Sequence, residues 1–81
     1  MNLCQLSRRT PAHVDAIEDR GDGDTIARRL RELGFVPGEP VEVVAAGPFG
    51  GDPLLVQVGF TRFALRRSEA ERVKVSVGAV A

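Results

Sequence analysis

Residues 72–77, RVKVSV, alternate strictly, with Val73, Val75 and Val77 on one side of an extended chain and Lys74 and Ser76 on the other. Side chains of a β-strand point to opposite faces in turn, so a period of two predicts a strand with one buried face. Such a face must be covered by other strands, and the sequence supplies them. VEVVAAG, from Val41, sets Val41, Val43 and Ala45 on one face with Glu42 interrupting the other. PLLVQV sets Leu54, Val56 and Val58 against Leu55 and Gln57. Gly59 then bends the chain or opens a tight turn, and TRFAL returns antiparallel with Phe63 and Leu65 on one side. Near the start, AHVDAIEDR carries Val14, Ala16 and Ile17 in an imperfect alternation, which predicts a first strand that bends near its middle.

One segment follows a different period. In TIARRLRELG, residues 25–34, Ile26, Ala27, Leu30 and Leu33 form an apolar stripe at helical spacing, with Arg28, Arg29, Arg31 and Glu32 on the other faces. Asp24 or Thr25 is placed to accept an orphan N–H at the helix start, and the neighbouring Asp22 and Asp24 read as capping chemistry, not as an acid/base pair. Gly34 takes the positive φ that ends the helix and folds Phe35 back onto the core. Pro37 and Gly38 form a type II turn. Leu3 and Leu6 are spaced to seat a short helical lid before Pro11, and SEAE, from Ser68, predicts a capped single turn.

Five short antiparallel strands, with one short helix between the first and second, predict a mainly all-β, small, partly open barrel filled by its own side chains. The 81 residues make a single domain, 1–81, whose four Phe and absent Trp and Tyr leave the core to Val, Leu, Ile and Ala. A chain of this size buries about 60% of its unfolded surface, so it relies on tight local structure or on a partner.

Composition narrows the function. Eleven acidic and eleven basic residues cancel, no block of like charge reaches five, and there is no Tyr or Trp for base stacking, which argues against nucleic-acid binding. Arg8, Arg9, Arg28, Arg29, Arg31, Arg66 and Arg67 keep a weak nucleic-acid-binding small barrel as an alternative. The single Cys4 forms no internal disulfide, MNLCQLSRR lacks a secretory signal, and no apolar run spans a bilayer; the expectation is a cytoplasmic protein that meets a membrane only through a partner. Cys4, His13 and Asp15 fit no familiar ligand spacing, and one Cys with one His cannot complete a four-ligand N/S set; no metal or cofactor is expected beyond weak contact of ferrous iron with acids. Ser7, Ser68 and Ser76 lie in no nucleophile elbow, and no G-x-x-x-x-G-K-[ST] loop occurs, so no enzyme is expected.

The loop GPFGGDPLL, residues 47–55, connects a strand ending at Ala46 with one starting near Leu54. Gly47, Gly50 and Gly51 supply permissive φ values, Pro48 and Pro53 restrict the chain, and Asp52 is set to bond nearby backbone. No lysine or helix start follows, so this is not a phosphate cradle. Phe49 either caps the barrel or stands out as a partner contact. With Asp52, and with Arg28, Arg31 and Glu32 on the outward helix face, it forms the expected partner-binding set; Arg28 and Glu32 have i,i+4 spacing.

RLRELGFVPGEPVEVV, GDPLLVQV and FALRRSEAERVKV occur in an order that resembles the FeoA family. Leu33, Gly34 and Phe35, then Pro37 and Gly38, then Gly51, Asp52 and Pro53, then Leu65 and Arg66, then Glu69 and Ala70 carry the resemblance. It implies an SH3-like barrel, without enzyme activity, that serves as an accessory adaptor of ferrous iron uptake. The implied partner is FeoB, a membrane transporter with a cytoplasmic GTPase domain. Thr10 and Pro11 stand where the family usually has a Gly-containing turn, and the loop before Gly51 lacks apolar residues often found there. An SH3-like module related to the C-terminal domain of iron-dependent repressors is the other reading the resemblance allows; a chain that starts at Met1 with no upstream helix-turn-helix favours the free-standing adaptor.

Overall fold

The computed structural model describes residues 1–78; positions 79–81, the end of the expected 1–81 domain, lie outside the described residues. A 3₁₀ turn, Leu3–Gln5, precedes β1 (Ala12–Ile17), α1 (Thr25–Leu33), β2 (Pro40–Gly47), β3 (Gly51–Val58), β4 (Thr61–Leu65), α2 (Arg67–Ala70) and β5 (Val73–Val77). The strands form one antiparallel sheet in the order β4-β3-β2-β1-β5, curled around the core and not closed between β4 and β5. The expected partly open barrel is what the chain forms.

Alternation decides the core. Val14, Val41, Val43, Val56, Val58, Leu65, Val73 and Val75 point inward and are buried, together with Leu30 and Phe35, and no polar residue is buried among them. Two bulges break the period. In β1 the pairing passes from Val14↔Val75 to Ala16↔Lys74, so Asp15 is the extra residue at the expected bend. In β2 the register shifts between Val43 and Ala45. Val43 and Val44 are both buried and Ala45 is only half-buried, which corrects the expected face of Val41, Val43 and Ala45. The extra residue turns the face over, an event that alternation alone does not reveal. Val77 is 55% exposed because the end of β5 runs past the core.

Asp24, not Thr25, caps α1: its Oδ1 accepts from the Ile26 and Ala27 N–H groups, each at 3.1 Å. Gly34, at φ 114°, ends the helix, and the Phe35 N–H donates to the Leu30 carbonyl at 3.1 Å, the Schellman pattern. Phe35 is thereby delivered into the core, its ring 6.2 Å from that of the half-buried Phe63. The Glu39 N–H donates to the Val36 carbonyl at 3.1 Å with Gly38 at φ 91°, which is the type II turn expected at Pro37–Gly38.

The lid also forms, and its anchors are backbone groups. Leu3 and Leu6 are buried, the Met1 carbonyl accepts from the Val75 N–H at 2.9 Å, and the Arg9 N–H donates to the Val43 carbonyl at 2.8 Å. The N-terminal segment therefore crosses from β5 to the part of β2 that β1 leaves unpaired.

Candidate docking surface

The β2–β3 connection is shorter than expected. β2 continues to Gly47 and β3 begins at Gly51, so that Pro48, Phe49 and Gly50 alone make the turn. Two glycines permit this pairing: a Cβ on Gly47 would lie 2.6 Å from the Asp52 carbonyl oxygen and 2.7 Å from that of Pro53. Backbones approach there as only glycine allows. The Asp52 N–H donates to the Phe49 carbonyl at 3.2 Å, fixing the tip, and Phe49 is 80% exposed. It stands out from the barrel and does not cap it.

Asp52 does not bond its own turn, as a turn aspartate was expected to. Its Oδ1 accepts from the Arg67 N–H at 3.1 Å, and Glu69 Oε1 accepts from the Arg66 N–H at 2.9 Å. These carboxylates satisfy orphan donors at the start of α2, which begins at Arg67, one residue ahead of the expected SEAE turn. The Gly51-Asp52-Pro53 and Leu65-Arg66 elements are thus joined: the first caps the helical turn that follows the second.

Between the hairpin and the two helices lies an open groove of about 480 Å³, lined by Arg29, Phe49, Asp52, Pro53, Ala64, Arg66 and Glu69. Phe49 and Asp52 were expected at a partner site, and Arg66 was expected only as a structural motif. Arg29 was missed. Of the three expected helix residues, Arg28 and Glu32 are exposed but do not line the groove, and no ion pair joins them among the described residues. Arg31 turns toward the end of β1, where its guanidinium meets Asp19 at 3.1 and 2.7 Å and the Ile17 carbonyl at 3.4 Å. That contact holds the Asp19 carboxyl below its ordinary range. One helical step of 100° separates Arg28 from Arg29, and only the packing of α2 against α1 decides which of the two faces the groove.

The acids of the groove are already engaged. Asp52 holds Arg67, and Glu69 receives the Arg66 N–H and lies 3.5 Å from Arg29 Nη1. An apolar, cationic rim remains. Elsewhere the expected arginine set is divided: Arg9 pairs with Glu42 at 3.2 Å and Arg31 with Asp19. Cys4 lies in a second groove of about 210 Å³ with Leu6, Arg8, Leu54 and Arg67; its Sγ is 3.6 Å from the Arg67 carbonyl, and burial pushes its thiol pKa up. The reactive thiolate is disfavoured there.

Phe60 is a second exposed aromatic that periodicity did not single out. It is fully exposed at the β3–β4 turn, where Gly59 at φ 58° and Phe60 make a two-residue hairpin. The signal was available, since an aromatic at the tip of such a turn has no strand neighbour to cover it.

The FeoA domain family model matches residues 1–77. The chain belongs to the FeoA family. Among solved structures, FeoA of Stenotrophomonas maltophilia in complex with zinc is 63% identical, with a TM-score of 0.86 over 94% of this chain and 89% of that one. That protein is described as a procaryotic SH3 domain protein and put forward as a bacterial ferrous iron transport activating factor. Iron(II) transport protein A of Clostridium thermocellum is 35% identical, with a TM-score of 0.81 over 95% of this chain and 45% of that one. FeoA of Chlorobium tepidum is 32% identical, with a TM-score of 0.82 over 98% and 71%. No protein of curated function matches. The FeoA fold is SH3-like and the family is linked to ferrous iron transport, as the resemblance implied. Among the described residues no helix is long and apolar enough to cross a membrane.

Proposed function

We propose that this FeoA-family chain is a non-enzymatic accessory protein of ferrous iron uptake, acting as one SH3-like domain. It docks on the cytoplasmic part of a FeoB-type transporter that carries a GTPase domain, modulates transport, and reaches the inner face of the membrane only through that partner. The observation that carries this reading is Phe49, 80% exposed at a hairpin tip beside a groove bordered by Arg29 and Arg66. Aromatic and arginine side chains dominate the binding energy of protein interfaces, and a groove of this chemistry suits a partner surface with an apolar pocket and acidic side chains. The links of the family and its relatives to ferrous iron transport point to the transporter as that partner.

A pull-down with the isolated GTPase domain and with the intact transporter tests the reading. Capture of either by the wild-type protein, lost in Phe49→Ala, is the expected result. Capture of neither overturns it.

A further inference from the structure

The two ends of β3 carry features that complement each other. At one end the β3–β4 turn holds up Phe60, fully exposed. At the other lies the Cys4 groove, lined by Leu6, Ala46 and Leu54 with Arg8 and Arg67. We infer that Phe60 of one copy of this chain enters the Cys4 groove of another, so that the protein associates with itself head to tail.

The donor end is set for such a contact. The Gly59 N–H donates to the Pro40 carbonyl at 3.0 Å, which ties the two-residue turn to the start of β2. The same approach brings the Glu39 carboxylate alongside: a Cβ on Gly59 would lie 3.4 Å from Glu39 Oε2. Glu39 has no ion pair among the described residues. Arg62, the cation that follows Phe60 on β4, is turned to Gln57, whose Oε1 accepts from its Nε at 3.0 Å. Val36, exposed as well, opens the turn that Glu39 closes. This end therefore presents an aromatic ring with an unpaired acid beside it.

The acceptor end has the opposite character. Its volume of about 210 Å³ exceeds the roughly 150 Å³ of an apolar cavity that takes up benzene. No carboxylate lines it, and Arg8 and Arg67 are exposed with no ion pair among the described residues. Asp52, the acid of the hairpin, is engaged by the Arg67 N–H. The Arg29–Arg66 groove is the poorer host, because Asp52 and Glu69 line it and would face Glu39.

Phe60 cannot reach the groove of its own chain. It stands six residues beyond Leu54, about 20 Å along an extended strand. Only a second copy brings ring and groove together. Donor and acceptor are different surfaces, so the contact is heterologous and each copy keeps one end free for the next. It leaves Phe49 and the Arg29–Arg66 groove open to a transporter, and it stands or falls independently of that docking.

Sedimentation equilibrium of the full chain at low salt, over roughly 10 µM to 1 mM, is the test, a range that suits a contact with one aromatic anchor. The weight-average mass is expected to rise with concentration, and labelling of Cys4 by a maleimide to slow in parallel, since association covers the thiol. Phe60→Ala and Ala46→Glu, both at exposed positions, each weaken association at least tenfold. Mixed together, these two variants form a one-to-one pair and nothing larger, because the first keeps an open groove and the second keeps its Phe60. Arg67→Glu takes the place of Ala46→Glu should that variant unfold. The inference is overturned if the parent stays monomeric throughout, if Phe60→Ala associates as the parent does, or if the two variants fail to pair.

Discussion

The carboxylate of Asp24 caps α1 with one oxygen and receives the Arg72 guanidinium with the other, joining segments 48 residues apart. The second oxygen also accepts from the Arg20 N–H at 2.8 Å. The pair is shielded, with 5% of the Asp24 side chain and 13% of the Arg72 side chain exposed, and Arg72 Nε is buried with no hydrogen-bond partner. A shielded cation that loses the carboxylate facing it is left poorly compensated, so helix start and final strand depend on the same group.

Acid sensitivity follows from this group. Backbone bonds from Arg20 and Ala27, reinforced by Arg72 against the opposing effect of desolvation, lower the Asp24 pKa from 3.8 to about 2. A depressed carboxylate pKa contributes stability above the unfolded value, and that contribution is lost as pH falls through the folded value. Urea midpoints measured from pH 7 to pH 2 are expected to hold down to about pH 4 and then fall. Asp24→Asn flattens that acid limb, and Asp24→Ala lowers Tm by about 4–8 °C at neutral pH.

Phe35 is fully buried against Phe63, and Phe35→Ala is expected to cost about 3–5 kcal/mol. A chain of this length has about 4–12 kcal/mol of stability in all, so the variant approaches unfolding at 25 °C. Phe35→Leu, which leaves less empty volume, is expected to lose less. Chemical denaturation of the two variants measures the difference.

The glycines separate two kinds of constraint. At Gly34 a Cβ finds its nearest neighbour at 4.0 Å, and only the φ of 114° opposes it; Gly34→Ala is expected to cost about 1–2 kcal/mol. At Gly47 the φ is ordinary but a Cβ would strike two backbone carbonyls, neither of which can swing aside as a side chain does. Gly47→Ala is expected to destabilise more than Gly34→Ala and to raise amide exchange at Gly51 and Asp52.

Phe49 and Phe60 stand at opposite ends of β3, both exposed. Docking through the Arg29–Arg66 groove predicts that Phe49→Ala and Arg66→Glu each weaken transporter capture at least tenfold with Tm unchanged, the loss typical of an interface hot spot. Phe60→Ala leaves capture intact. Equal losses in Phe49→Ala and Phe60→Ala would move the docking face away from the groove.

Elements governed by local rules were legible in the sequence. α1, its Gly34 stop, the Pro37–Gly38 turn and the alternation of Val73 and Val75 arise from neighbours a few residues away, and periodicity reports those. The inward turn of Val44 was not legible, because a bulge depends on the partner strand. Nor was the bond from Asp52 to Arg67, made across 15 residues. The lining of the groove was legible in the same proportion: Phe49 and Asp52 belong to hairpin chemistry, whereas the presence of Arg29 there, and not of Arg28 or Arg31, rests on how α2 meets α1.

The pairing of β1 with β5 sets a schedule for the newborn chain. Ile17 finds its partner in Val73, 56 residues later. At about 5–20 residues per second a ribosome needs roughly 3–11 s to make that stretch. Through that interval Val14 and Ile17 have no β5 to cover them. The helix and the β2–β3 and β3–β4 hairpins can form as they emerge, but the barrel waits for its last strand, and a chain truncated before Val73 keeps an apolar edge open to aggregation.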